Sequence, residues 1–214
     1  MLSGPEIKPA SGKKAKQLVI FLHGLGADGN DLISLTDEFA DTLPDAHFVS
    51  PNAPFPCDMA PYGYQWFSLM DRDHDRVLEG IKIAAPILNE FIDEKLSELG
   101  LTDKDCALIG FSQGTMTSLY VSTRRNKPCA GVLGYSGALF GADILKKEIK
   151  SRPPVCLVHG DDDMVVPFES LGHATQVLTL NGIDVEAHGR PGLGHGIDFE
   201  GIKIGKKFLK KCFF

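Results

Sequence analysis

Apolar residues in this chain gather in short unbroken runs rather than in alternation. The run at 17–23, QLVIFLH, has strand length and almost no polar interruption, the mark of a strand covered on both faces. Comparable runs lie at 46–51 (AHFVSP, stopped by Pro51), 106–112 (CALIGFS), 129–136 (CAGVLGYS), 154–160 (PVCLVHG) and 183–189 (IDVEAHG). Between them the spacing turns helical. Residues 31–43 carry Leu32, Leu35, Phe39 and Leu43 on one face, with Asn30 as N-cap. Helices are predicted over 76–99, 113–125, 143–150, 168–181 and 199–211, the fourth closed by Gly182. Residues 1–16 are polar and lysine-rich and read as an N-terminal arm ahead of a single domain over 17–214. Residues 51–75 show no period; they hold Pro51, Pro54, Pro56 and Pro61 among aromatic side chains.

Apolar strands alternating with helices predict an α/β domain: a doubly wound, mostly parallel sheet with helices on both faces. Ligands of such sheets bind beyond the carboxyl ends of the strands. Three loops at those ends carry chemistry. The first is Gly-Phe-Ser-Gln-Gly, residues 110–114, between a strand and a helix. That context makes it a nucleophile elbow. Ser112 sits on a turn so tight that a Cβ at Gly110 or Gly114 would meet a neighbouring strand or helix. Its hydroxyl then stands at a helix N-terminus, where developing negative charge is favoured.

A serine hydroxyl needs a base to become a nucleophile. In this fold the partners follow in the order Ser, acid, His. His195, in the Gly-rich loop GLGHGID between the last strand and the last helix, stands where the base belongs. His188, at the end of a strand, is the weaker rival. His159 is expected to shape the loop that follows it, His173 lies in a helix pattern, and His23 belongs to another loop. The acid belongs after the strand ending at His159, where HGDDDMVVP offers Asp161, Asp162 and Asp163. One of them holds the imidazole tautomer. Spacing does not choose among three consecutive carboxylates, although Asp161 suits bracing the turn through its own backbone. Three adjacent Asp are a poor calcium loop. Backbone N–H groups of Gln113 and of Leu25, in the loop HGLGADG, are placed to receive an oxyanion. That loop also reads GxGxxG at Gly24, Gly26 and Gly29. A dinucleotide site would need a carboxylate at the end of the next strand, and none appears before Asp58.

Composition adds exclusions. The chain has 214 residues and 43% hydrophobic residues, enough for one ordinary core. A net charge of −6 argues against nucleic-acid binding. No run has the length of a membrane span, and the N-terminus has no apolar signal core. The cysteines (Cys57, Cys106, Cys129, Cys156, Cys212) are scattered and odd in number, with no CxxC pair. They signal neither a zinc site nor a disulfide framework, and point to a reducing cytoplasm. Three of them, Cys106, Cys129 and Cys156, sit in apolar runs as small core residues.

FLHGLGADGND, GFSQG, HGDDDMVVP and GHGID, in this order and spacing, resemble the phospholipase/carboxylesterase family of α/β-hydrolases, from residue 17 to residue 208. That family includes bacterial carboxylesterases and eukaryotic acyl-protein thioesterases. The resemblance implies an α/β-hydrolase fold with a small cap or none, Asp163 as the acid with Asp161 structural, and Leu25 and Gln113 as oxyanion donors. It implies no metal and no cofactor. It implies a small-molecule ester or thioester substrate and allows a homodimer. Eukaryotic thioesterases usually carry Pro where Met164 stands, and the context YQWFSL departs from theirs around Trp66. The irregular segment is expected to overhang the site, with Met59, Trp66, Phe67 and Leu69 lining an acyl groove. Long-chain acyl-protein thioesterase or lysophospholipase activity is the alternative within enzymes, and acyl transfer to an acceptor other than water a further one. A non-catalytic ligand-binding protein on the same fold is the alternative outside them; such a protein usually lacks a member of the triad.

Overall fold

The computed structural model describes residues 2–214. Among the described residues the strands are β1 (Glu6–Ile7), β2 (Gln17–Leu22), β3 (Ala46–Val49), β4 (Phe55–Pro56), β5 (Tyr64–Gln65), β6 (Cys106–Phe111), β7 (Gly131–Tyr135), β8 (Val155–Gly160) and β9 (Val185–Arg190). Its helices are α1 (Gly29–Ile33), α2 (Thr36–Phe39), α3 (His74–Leu99), α4 (Gln113–Arg124), α5 (Ala142–Glu148), α6 (Glu169–Leu180) and α7 (Phe199–Phe213). The main sheet runs β1-β3-β2-β6-β7-β8-β9. All its pairings are parallel except β1 with β3. β4 and β5 form a separate antiparallel hairpin.

The chain winds outward from β2 to β3, then crosses back and winds the other way from β6 to β9. The switch therefore falls between β2 and β6, the crevice where such sheets hold ligands. The loop after β2 carries Leu25, and the turn after β6 carries Ser112.

The unbroken apolar strands are buried as their composition requires. Val19, Phe21, Ile109 and Tyr135 face α1, α2 and α7; Leu18, Ile20 and Leu108 face α3 and α4. A third cluster packs Val132, Val155 and Leu157 against Leu171, Ala174 and Leu178 of α6. Each fully buried Leu or Phe contributes about 1.5–3 kcal/mol relative to exposure.

The helix α4 is buried along almost its whole length although it is rich in hydroxyls. Thr117, Ser118 and Thr123 each donate to the carbonyl four residues back, to Gln113, Gly114 and Leu119. Their polar atoms are thus satisfied inside the helix itself.

Two expectations change. The segment 31–43 is not one helix. Backbone bonds tighten to three-residue spacing at Leu35, Asp37 and Glu38, which divides it into α1 and α2. The N-cap is Asp28, whose side chain accepts from Asn30 N–H, not Asn30. The polar N-terminus is more than an arm. Glu6 and Ile7 pair with Val49 and Phe48 at the sheet edge, and Leu2 is buried in the core cluster of α3.

Candidate active site

Ser112 joins β6 to α4 with φ 54° and ψ −117°, a strained conformation for a residue with a side chain. Strain of this kind costs about 1–3 kcal/mol; the packing of α4 and β6 on either side offsets it. The two glycines do what the sequence requires of them. A Cβ at Gly114 would overlap the Leu22 carbonyl, and one at Gly110 would overlap the backbone of Thr115. The elbow thus presses α4 against β2 and turns Ser112 toward a cavity of about 630 Å³. Ser112, Gln113, Gly24, Leu25 and His195 all line this cavity.

Of the three consecutive carboxylates only Asp163 is buried. Its Oδ1 accepts from the Val165 and Val166 N–H groups at 2.8 and 2.9 Å. Its Oδ2 accepts from His195 Nδ1 at 2.7 Å. Burial raises this carboxyl, but the hydrogen bonds from His195, Val166 and Val165 outweigh it and hold the group below its ordinary value. With Nδ1 donating to the carboxylate, the other ring nitrogen of His195 is left unprotonated in the neutral form, as a base requires. Asp162 is exposed. Asp161 braces the fold, but not through its own turn: its carboxylate accepts from Gly192 N–H, at 2.7 Å, in the loop that carries His195.

That loop is held on several sides. Asp161 N–H donates to the Arg190 carbonyl and Asp162 N–H to that of Leu193. The Arg190–Asp198 ion pair, 3.0 Å, closes its two ends. Ser136, at φ 46°, donates to the Gly196 carbonyl at 3.4 Å. Phe111 packs on the His195 ring with centroids 4.8 Å apart.

The other histidines are accounted for by the bonds they make. His159 Nε2 donates to the Val166 carbonyl at 2.9 Å and also approaches Asp163 Oδ2 at 3.3 Å, shaping the acid loop as expected. His23 is fully buried, and burial lowers its pKa. Its Nε2 accepts from Ala53 N–H, so Nδ1 carries the proton and donates to the Gly24 carbonyl. His188 lies within β9 and is not among the cavity's lining residues.

Among the described residues, the N–H groups of Leu25 and Gln113 donate to no protein acceptor. Their neighbours do. Gly26 N–H donates to the Tyr64 carbonyl, and Tyr64 N–H returns a bond to Ala27. The Gln113 side chain accepts from Trp66 N–H and donates to the Phe67 carbonyl, while the Trp66 indole donates to the His23 carbonyl. This lattice fixes the Leu25 loop against the start of α4.

It also corrects the expected groove. Trp66 and Phe67 are core residues, fully buried beneath the cavity and absent from its wall. Met59 is exposed and away from it. Only Leu69 of the four lines the cavity. The remaining apolar wall comes from Val77, Met116, Ala138, Phe140, Val165 and Pro167, on elements distant in sequence, with Asp31 and Arg72 at its polar positions. Period-free sequence offers no signal for such a wall. Ser136 and the Arg190–Asp198 pair were likewise invisible, because they act across loops.

A switch-point cavity, a strained Ser between strand and helix, and an Asp–His pair on the two following loops define an α/β-hydrolase. The chain belongs to the phospholipase/carboxylesterase family, whose model matches residues 4–213. It is 30% identical to acyl-protein thioesterase 1 of Schizosaccharomyces pombe, over 90% of this chain and 89% of that one. It is 27% identical to esterase YpfH of Escherichia coli, over 92% and 84%. The crystal structure of esterase PE8 matches with a TM-score of 0.93 at 41% identity, covering 99% of both chains. Among the described residues, no helix is long and apolar enough to cross a membrane.

Proposed function

We propose that this serine hydrolase cleaves carboxylic esters and thioesters through an acyl-enzyme formed on Ser112. The observation that carries the assignment is the 2.7 Å contact of His195 with Asp163 on the wall of the cavity that Ser112 enters. His195 Nε2 takes the Ser112 proton as Oγ attacks the acyl carbon, and returns it to the leaving alcohol or thiol. Asp163 keeps the imidazole in the right tautomer and stabilises the imidazolium. The N–H groups of Leu25 and Gln113 receive the oxyanion; the bonds that hold Gly26, Trp66 and the Gln113 side chain spare them reorganisation during the reaction. Water, activated by His195, then releases the acid. Every step is carried by groups of this chain.

The apolar wall around Leu69, Met116 and Phe140 supports an aliphatic acyl group as the part of the substrate held there. Odd, scattered cysteines support a reducing cytoplasm as the working compartment. Exposed Met164 and Val165 beside the cavity support pairing of two copies on that face. The test is hydrolysis of p-nitrophenyl esters from acetate to palmitate, with fluorophosphonate labelling and Ser112→Ala. The variant is expected to lose label and at least roughly a thousandfold in turnover; retention of most of its activity overturns the assignment. Rates rising toward palmitate mark an open acyl channel, and rates peaking at acetate a closed pocket.

A further inference from the structure

Outside the cavity, one cluster of chemically able side chains has no part in ester hydrolysis. It lies where β8 and β9 pair, on the face covered by α7. Cys156 is directly opposite Glu186 in the parallel register, and His188, two residues on, shares that face. Cys156 Sγ, a Glu186 carboxylate oxygen and a His188 ring nitrogen all lie within 4.8 Å of one another. We propose that Cys156, Glu186 and His188 form a binding site for a thiophilic divalent metal ion of the zinc type.

The donor set fits that class. One sulfur, one imidazole nitrogen and one carboxylate oxygen suit zinc, whereas magnesium and calcium favour oxygen alone. Bond lengths of about 2.0–2.3 Å in a tetrahedral site place ligand atoms roughly 3.5 Å apart. The three donors, within 4.8 Å of one another, need to close by at most about 1 Å to reach that spacing. His188 Nε2 is shielded from solvent and has no hydrogen-bond partner among the described residues. Its nearest acid, Glu186 Oε2, is 3.9 Å away, too far for a hydrogen bond. A buried ring nitrogen left unpaired beside a thiol and a carboxylate is what a metal ligand looks like before loading.

Charge is consistent with this assignment. Cys156 gives up its proton to solvent on binding, so thiolate and carboxylate together neutralise a dication. The cation nearest the site is Lys211, whose Nζ holds Glu186 Oε1 at 2.8 Å and leaves Oε2 to the His188 side. Lys211 is mostly exposed, so its pairing with Glu186 is screened by solvent. Lys207 lies further out. Cys212, on α7, lies outside the three-donor cluster; a water completes the tetrahedron. The expected consequence is structural. β9 is the edge strand, held to the sheet by β8 alone, and its end leads into the His195 loop. A metal bridging the two strands pins that edge.

The test uses the full chain, reduced and stripped with a chelator, and zinc ion alone, titrated against a chromogenic chelator. Cobalt serves as the spectroscopic stand-in, because a bound thiolate gives it a near-ultraviolet charge-transfer band. One equivalent is expected with that band. Cys156→Ser is expected to abolish the band, and His188→Gln to weaken zinc binding at least ~10-fold, the loss seen even for outer partners of metal ligands. Cys57→Ser and Cys212→Ser are expected to keep both. At zinc 100-fold above Kd the melting temperature is expected to rise by roughly 5–10 °C. Glu186→Gln, at a half-exposed edge position that the fold tolerates, is expected to lose most of that rise. A band that survives Cys156→Ser, or a wild-type melting temperature indifferent to zinc, overturns the site.

Discussion

The two ends of α4 handle buried charge in opposite ways. At its C-terminal end Arg125, almost fully buried, spends its guanidinium on a closed network. Nε donates to Asp103, Nη1 to Asn89, and Nη2 to both Asp93 and Asp103. These bonds tie the helix to α3 and to the turn before β6. Burial opposes the charge on Arg125, but the bonds to Asp93 and Asp103 prevail, so it is held more firmly protonated than usual. At the N-terminal end the network is left open toward the cavity. Ser112 is strained, two backbone N–H groups have no protein acceptor among the described residues, and Asp163 shares one oxygen with a histidine that reaches the cavity. A closed network can only stabilise the fold. An open one gives up stability and leaves groups free to exchange a proton and hold a charge.

The sharpest way to break that contrast is Asp163→Asn against Asp162→Asn. Loss of the carboxylate upsets the His195 tautomer, and turnover is expected to fall by roughly 10³–10⁴. Asp162 is exposed, so its variant is expected to stay within about threefold of wild type. Equal losses in steady-state kinetics would move the acid elsewhere. The same substitution has a pH signature. A carboxyl held below its ordinary value of 3.8 contributes stability that is complete above that value and is lost as pH falls through the folded-state pKa. Calorimetry is therefore expected to show the melting temperatures of wild type and Asp163→Asn converging below about pH 4.

At the other end of the helix the expectation reverses. Arg125→Met removes the cation paired with both Asp103, which is largely buried, and Asp93, which is mostly exposed. Breaking a buried pair costs about 3–5 kcal/mol; exposure of Asp93 reduces this to about 2–3 kcal/mol. The melting temperature is expected to fall by roughly 5–10 °C, with turnover at 25 °C unchanged within about twofold. A large loss of turnover without a loss of stability would show that the two ends are coupled through α4.

What the sequence made legible follows the same division. The elbow, the His loop and the acid loop could be read because each is local: a glycine on either side of Ser112, a Gly-rich turn at His195, three acids after a strand. Singling out Asp163 as the partner of His195 needed more than spacing, because the three neighbours differ in burial and in bonding, which the fold decides. The parallel sheet was legible because strands buried on both faces must be apolar throughout. Its edge strand β9 is half-exposed and contains Glu186 and His188, so its polar face carried no message until β8 brought Cys156 opposite. The cavity wall was misread for a related reason. Aromatic residues in an irregular segment suggest a groove, but Trp66 is worth more to the fold as a buried donor to the His23 carbonyl.

The smallest expected effect tests that correction directly. Met59 and Leu69 belong to the same irregular segment, yet one is nearly half exposed at 47% and the other lines the cavity. If the wall is as described, Leu69→Ala removes apolar contact with the acyl chain and lowers kcat/KM on long-chain esters by roughly tenfold. Short-chain esters, which do not reach that wall, are expected to lose less. Met59→Ala is expected to change kcat/KM by less than about twofold at every chain length, and stability by no more than about 0.5 kcal/mol. A tenfold loss for Met59→Ala on palmitate alone would mean that the segment folds over the mouth when a long chain is bound. The contrast between a closed structural network and an open reactive one would then gain a moving part, on the rim rather than at either end of α4.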